Sequence, residues 1–246
     1  VILITTRKGV KGRTSINYDV NFGTQTVAKK MDILTAEQYI KAINDLSVER
    51  GEGTVFSPDD IARIGKGVDW QDEIYRTATL HNHNLTVNGG DDKTTFYTSF
   101  NYFDQDGVIR NSGIQKYIAR VNLDRKIGGK GHFGINLNTS LINDRNNIDG
   151  MQTNEDSGPI YASLLYDPTE PIYNEDGSFR QSTNLTVNNP VSLIEGIRSK
   201  TKTNRTFGNV YFQYELIEGL QAKLNIGSDR QSSRRDIYNT RLTFRG

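Results

Sequence analysis

The chain has 246 residues, with 30 Lys+Arg against 29 Asp+Glu and a formal net charge of +1, a balance that argues against a nucleic-acid partner held by electrostatics. It has no cysteine, which excludes a disulfide frame, a thiolate nucleophile and a Cys-based zinc site, and no apolar run approaches the ~20 residues that a membrane helix needs. The 12 Tyr, 10 Phe and 23 Gly are many for so polar a chain, a β-protein composition where a disordered chain would have few aromatics.

Val1–Thr6 is a β-branched run closed by Arg7-Lys8-Gly9 and reads as a buried strand. The chain opens on Val1 with no charged n-region, apolar h-region or cleavage site, so no signal peptide is visible and the start suggests the middle of a longer protein. After a turn at Lys11-Gly12, Ile16, Tyr18, Val20 and Phe22 alternate with Asn17, Asp19 and Asn21, the period of a strand with one apolar and one polar face. Residues 32–76 differ. Thr35 with Gln38 forms a capping box ahead of Tyr39, Ile40 and Ile43. Ser57-Pro58 is a second helix start, with proline at the first helical position, and Asp69–Tyr75 reads as a third helical turn. These are short helices in a loop excursion too poor in apolar residues to fold alone.

From Leu80 the alternation returns. Leu85 and Val87 lead to a turn at Gly89–Asp92; Phe96, Thr98, Phe100 and Tyr102 share a face up to a turn signal at Asp104–Gly107. Tyr117, Ala119, Val121 and Leu123 oppose Ile118, Arg120, Asn122 and Asp124. Gly128–Gly131 turns the chain again, and Phe133, Ile135, Leu137 and Leu141 oppose Gly134, Asn136, Asn138 and Ser140. Residues 143–200 read as irregular. Two last strands, Val210–Leu216 and Leu220–Ile226, flank a short joint at Ile217–Gly219, and Thr243–Gly246 resembles a further strand.

Two features bear on architecture. The connections alternate between tight turns (128–131, 217–219) and long excursions (24–79, 143–200), as on the two sides of an outer-membrane barrel. The polar face is rich in Asn, Asp, Arg and Ser even at mid-strand, which suits a watery lumen behind a lipid-facing wall. A soluble sandwich or jelly roll is the rival.

Beyond these patterns, a set of segments resembles SusC/RagA-type TonB-dependent outer-membrane transporters, in the order that family shows them. They are Val1–Gly9, Met31–Tyr39, Val68–Ala78, His83–Gly90, Tyr102–Ile109, Ala119–Asp124 and Asn189-Pro190-Val191. The resemblance implies an all-β fold: an antiparallel transmembrane β-barrel segment with short helices in its loops. Residues 1–9 would be the last strand of the plug domain and residues 10–246 the N-terminal part of the barrel, without the TonB box, the main plug or the closing strand. It further implies TonB-dependent import of bulky polar nutrients, oligosaccharide or peptide, across the cell outer membrane. The implied partners are a SusD-like surface lipoprotein, the TonB–ExbB–ExbD complex and outer-membrane lipid, with no cofactor and no enzymatic chemistry. The rival function, from the soluble reading, is a β-sandwich carbohydrate-binding module.

Site candidates are few. His81 and His83, at i and i+2, lie on one side of a strand and could share a metal, but no carboxylate or third His sits nearby and His132 is distant, so a solvated strand start is the plainer reading. Gly129–Gly134 matches a dinucleotide-binding spacing but precedes a strand, which offers no helix N-terminus to a pyrophosphate. Asp104–Gly107 and Asn174–Gly177 lack the closing bidentate Glu of a calcium loop. No Ser/His/Asp set or carboxylate pair stands out. The lumen-facing set Arg120, Asn122, Asp124, Asn136 and Asn138 is the best substrate-binding candidate, through amides and charges suited to sugar hydroxyls or peptide groups; hydrogen bonding within the wall is the plainer alternative.

Overall fold

The computed structural model describes residues 9–146, 158–183 and 187–243. Seven strands form one antiparallel sheet in sequence order: β1 (Gly12–Gln25), β2 (Ala78–Gly90), β3 (Thr94–Asp106), β4 (Gly113–Ile127), β5 (Gly131–Arg145), β6 (Ile197–Ile217) and β7 (Leu220–Asn239). Every strand pairs with its chain neighbour, so the sheet is a meander with β1 and β7 as its edges. Three connections are tight: 91–93, 128–130 and 218–219. They lie at one end, and Gly128 (φ 60°) and Gly219 (φ 81°) supply the left-handed turn residues. The other end carries the long connections, with helices α1 (Ala36–Glu49), α2 (Pro58–Ile64), α3 (Trp70–Ile74), α4 (Pro159–Leu165) and α5 (Pro190–Gly196). Among the described residues no helix is long and apolar enough to cross a membrane, which says nothing of crossing by strands.

The sheet is inverted relative to a soluble sandwich. On its apolar face Ile16, Phe22 and Leu224 are 69%, 76% and 63% exposed, whereas Thr86, Ser99 and Asn122 on the polar face are each 7% exposed. No second sheet covers the apolar face among the described residues, which removes the sandwich on which the rival reading depends.

The cross-strand register shows how that apolar face runs. Ile16, Val87, Thr98, Val121, Leu137, Gly208 and Ser228 form one continuous row across all seven strands. On β1 the apolar residues lie from this row toward the long-loop end, at Ile16, Tyr18, Val20 and Phe22. On β7 they lie on the opposite side of it, at Ala222, Leu224 and Ile226. The centre of the band therefore slides by about seven residues between β1 and β7. At ~3.4 Å per residue and ~4.8 Å between strands, that slope is about 40°, within the tilt of strands in membrane barrels. On β5 the band runs from Phe133 to Leu141, roughly 27 Å along the strand and roughly 21 Å along the barrel axis at that tilt, close to the ~25 Å apolar belt of such barrels. Aromatics gather at both margins. Toward the loops, Tyr18 stacks on His83 (6.1 Å between centroids) and Tyr102 lies against Tyr117 (5.1 Å). Toward the turns, Phe133 pairs with Phe212, which stacks with Tyr214 (6.4 Å).

Four expectations need correction. The stretch 143–200 is irregular only in part: β5 continues to Arg145, α4 and α5 lie within it and β6 begins at Ile197, while the described residues between α4 and α5 carry turns and no further helix or named strand. The last two strands are also longer than 210–216 and 220–226, because their outer halves, such as Ser199–Arg205, are polar on both faces and carry no alternation. Residues 104–106 belong to β3, with the turn starting at Gly107, and 240–243 turn instead of extending. The expected strand Val1–Thr6 lies outside the described residues, as do 244–246.

The capping boxes at Thr35/Gln38 and Ser57/Asp60 both form, and Asp69 caps α3 by accepting from the amides of Gln71 and Asp72. The β1–β2 and β5–β6 excursions, neither apolar enough alone, build one core between them. Trp70 is fully buried with Ala162, Tyr166, Val187, Val191 and Leu193. Its ring packs edge-on against Tyr166 at 4.6 Å and its Nε1 donates to the Asp167 carbonyl at 2.9 Å. Burial, reinforced by nearby Glu170, pushes the Tyr166 phenol well above the usual range, so it stays neutral and donates to the Arg180 carbonyl at 2.5 Å. Asn189 is fully buried and saturated: its amide donates to the Ile172 and Arg180 carbonyls, both at 3.0 Å, and its oxygen accepts from the amides of Val191 and Ser192. A second cluster of Ile74, Ile109 and Ile194 brings in the β3–β4 connection.

Two outcomes follow from this packing. In the full-length barrel, Leu137→Arg should cost roughly 2–4 kcal/mol near mid-band, while Ser140→Arg on the polar face should cost under about 1 kcal/mol; urea unfolding in lipid vesicles measures the contrast, and equal costs would refute the face assignment. Trp70→Ala should cost about 3–5 kcal/mol locally and open both long loops to limited proteolysis together. Cleavage confined to 26–77 would show that they do not share a core.

Candidate functional site: the polar inner face

Period-two alternation sends every second side chain of β1–β7 to the polar face, and the register assembles them into rows. One row reads Ser15, Asn88, Tyr97, Asn122, Asn136 and Asn209. The next, toward the loops, reads Asn17, Thr86, Ser99, Arg120, Asn138, Phe207 and Asp229. On the turn side follow Thr95, Asp124, Gly134, Tyr211 and Asn225. The five residues expected to face the lumen are thus brought together. Arg120 is directly opposite Asn138, Asn122 opposite Asn136, and Asp124 opposite Gly134.

Hydrogen bonding divides the five. Asn136 donates to Asn209 Oδ1 at 3.0 Å, and Asn209 in turn donates to Asn225 Oδ1 at 2.6 Å, an amide ladder that ties β5 to β6 and β7. Asp124 accepts from the Tyr211 hydroxyl. Gly134 permits this: a Cβ there would stand 2.2 Å from Tyr211 Cε1, so only glycine lets the ring lie across β5 to reach β4. Lys223 Nζ covers the same ring at 4.8 Å from its centroid. Asn122 is buried and partnered. Among the described residues, Arg120 and Asn138 make no side-chain hydrogen bond or ion pair; Arg120 is exposed and Asn138 half-buried. The pair Arg120–Asn138 therefore offers donors and an acceptor to a solute, while Asn122, Asp124 and Asn136 are spent on the wall.

Residues outside the expected set complete the face. Arg205 forms a two-point bridge to Asp229 (Nε–Oδ1 3.0 Å, Nη2–Oδ2 2.6 Å) and lies over Phe207 at 5.1 Å. Their missing signal is understandable, since Arg205 sits where β6 is polar on both sides. Asn101 donates to Asn82 Oδ1 at 2.7 Å. The His81/His83 pair lies elsewhere, on the apolar face at its loop-side margin. There His81 Nδ1 and His83 Nε2 are 3.3 Å apart and the Tyr18 hydroxyl is 2.7 Å from His83 Nδ1. Contrary to the expectation from sequence, a carboxylate is near: pairing with β3 places Asp104 Oδ2 3.9 Å from His81 Nε2. Among the described residues no group of three or more His, Cys, Asp or Glu is arranged to hold a metal.

No protein-family model matches the chain. It is 28% identical over 240 residues to TonB-dependent receptor P3 of Formosa agariphila, covering 95% of this chain and 22% of that protein. It is 28% identical over 255 residues to TonB-dependent receptor SusC of Bacteroides thetaiotaomicron, covering 93% of this chain and 24% of that one. The chain thus spans about a quarter or less of the curated relatives it matches. Its fold is that of a stretch of the RagAB peptide importer in the open-open state (TM-score 0.74, 18% identity, 94% of this chain, 29% of that chain) and in the closed-closed state (TM-score 0.72, 19% identity, 94% and 30%). The resemblance to SusC/RagA-type transporters and the antiparallel barrel-wall fold both stand on these matches.

The division of labour on the inner face is testable by stability alone. Gly134→Val should displace Tyr211, leave Asp124 without its hydroxyl and cost about 1–3 kcal/mol. Arg120→Gln should stay within about 0.5 kcal/mol of the parent. Denaturant unfolding of the full-length protein compares them; a large loss for Arg120→Gln would make it a wall residue and not a free one.

Proposed function

We propose that this chain is the first part of the wall of an energised outer-membrane importer for bulky polar solutes, an oligosaccharide or a peptide. Residues 1–9 end its plug and residues 10–246 begin its barrel. The observation that carries the reading is the inverted, tilted sheet: a diagonal apolar belt on one face and amide rows on the other, continuous over seven strands. The likeness of nearly the whole chain to TonB-dependent receptors supports it. The tight turns face the periplasm, and the interlocked loops around Trp70 and Asn189 face the outside.

The mechanism involves no covalent chemistry. A SusD-like lipoprotein caps the barrel above the loop core, and TonB with ExbB–ExbD displaces the plug to open a path along the inner face. The wall contributes spaced, weak hydrogen-bonding positions. Amide ladders such as Asn136–Asn209–Asn225 satisfy themselves, so a polar solute meets a wetted surface without being trapped. Arg120 and Asn138 are the positions left to touch it.

Uptake of labelled oligosaccharides and peptides by cells producing the full-length protein, with and without TonB, tests the function: TonB-dependent uptake of one class is expected, and uptake indifferent to TonB would overturn it. Topology is tested separately. This chain has no cysteine, so Asp176→Cys and Lys130→Cys each place a single reporter in it. On intact cells a membrane-impermeant maleimide should label position 176 and spare position 130; the reverse would invert the wall.

A further inference from the structure

We propose that the outward face of β5–β7, just beyond the apolar belt, binds the phosphate groups of outer-leaflet glycolipids; the proposal rests on the barrel reading above. Val210 and Ile226 are directly paired and end the run of large outward apolar residues on β6 and β7; beyond them only Tyr238, at the far loop end of β7, is large and outward. At the inferred tilt each residue rises roughly 2.6 Å along the axis. Arg230 therefore stands about 10 Å above them, and Lys202 and Arg234 about 20 Å above. All are exposed and on the face that carries the belt. That height is where headgroups meet a barrel.

The register makes this belt unusual. Lys202 is the direct cross-strand partner of Arg234, and Lys200 that of Arg145. Like charges placed opposite one another destabilise a sheet, and two such pairs here sit side by side. The inner face of the same strands behaves differently, since Arg205 is matched by Asp229. The outward carboxylates do not balance the group. Asp236 takes Arg234 at 2.9 Å and lies opposite Lys200, and Asp106 is shared between Arg76 (3.2 Å) and Arg145 (3.4 Å). Lys200, Lys202 and Arg230 form no ion pair among the described residues. Beside them a cavity of about 380 Å³ opens between β5, β6 and α5, lined by Arg145, Arg198 and Lys200 and by one carboxylate, Glu195, which Arg110 faces at 4.0 Å. An anion between the paired cations removes their repulsion, and a phosphate attached to acyl chains also places those chains on Val210 and Ile226. Charge above and apolar surface below together select a phosphorylated lipid over a free anion.

Native mass spectrometry of the full-length protein, titrated with bisphosphorylated lipid A, reads the site. A basic residue near a charged lipid surface contributes about fivefold in affinity, so Lys202→Gln/Arg230→Gln/Arg234→Gln should weaken binding on the order of a hundredfold at low salt. The charge-keeping Lys202→Arg/Arg230→Lys/Arg234→Lys should bind as the parent does. Lipid A stripped of its phosphates should bind the parent as weakly as the triple Gln variant binds the intact lipid. Undiminished binding by a folded triple Gln variant, or equal binding of stripped and intact lipid, would overturn the proposal. Where the Gln variant does not fold, the stripped lipid and a 1 M salt wash of the parent decide alone. Heat-modifiable gel mobility reports folding, and a parent that lacks it and fails to insert into vesicles has failed the barrel reading instead.

Discussion

A backbone amide in hydrocarbon has no water to bond to, so a chain that crosses a bilayer in strands must pair every one of them with a neighbouring strand. The meander β1 to β7 answers that constraint directly, with long antiparallel ladders between consecutive strands. Pairing consecutive strands also fixes where the connections fall. Odd and even ends alternate, so turns of two or three residues collect at one end, and at the other lie two excursions of tens of residues with the short β3–β4 connection between them. Once the ladder is set, the side-chain period of two divides each strand between two solvents. The diagonal course of the apolar band is then a record, in residue types, of how the strands lean against the membrane.

The long loops obey a different constraint. They emerge into water and must bury enough apolar surface to hold a shape, yet neither excursion has enough. Their solution is shared: Trp70 from one enters a pocket made by Ala162, Tyr166, Val187, Val191 and Leu193 from the other. Asn189 anchors the far side by satisfying four backbone groups at once. The Val68 amide, donating to the Pro168 carbonyl at 2.9 Å, pins the same junction. Loops joined in this way tie β1–β2 to β5–β6 across the two strands between them, β3 and β4, so the loop core braces the wall below.

Legibility in the sequence followed the number of solvents each segment meets. Between Ile16 and Ile226, strands that face lipid on one side and water on the other alternate visibly, and their registers follow from short turns such as 128–130. Helix starts were visible where caps are chemical, at Thr35, Ser57 and Asp69. The outer halves of β6 and β7 were not, since Lys200 and Thr201, or Arg234 and Arg235, look alike on both faces once both are wet. Asn189-Pro190 carries a cap and a first-position proline, but with only seven residues in α5 there is no periodicity behind it to raise the signal. The site was half legible. Alternation placed Arg120, Asn122, Asp124, Asn136 and Asn138 on one face, but which of them are free depends on partners 70 to 90 residues away, such as Asn209 and Tyr211.

The same separation explains how the wall can be both rigid and permissive. A lumen lined by unpaired amides would hold a passing solute at many points and also leave strands free to slip in register. Internal pairing of Asn136, Asn209 and Asn225, and of Asp124 with Tyr211 across Gly134, spends those groups on register. What remains unspent on this face is sparse, with Arg120 the cross-strand partner of Asn138. Sparse, exposed hydrogen-bonding groups each contribute about 1 kcal/mol or less net, weak enough to release a ligand and sufficient to orient one. On the importer reading proposed above, tight recognition would then come from surfaces that close around the solute at the loop end, and the wall would serve as a passage.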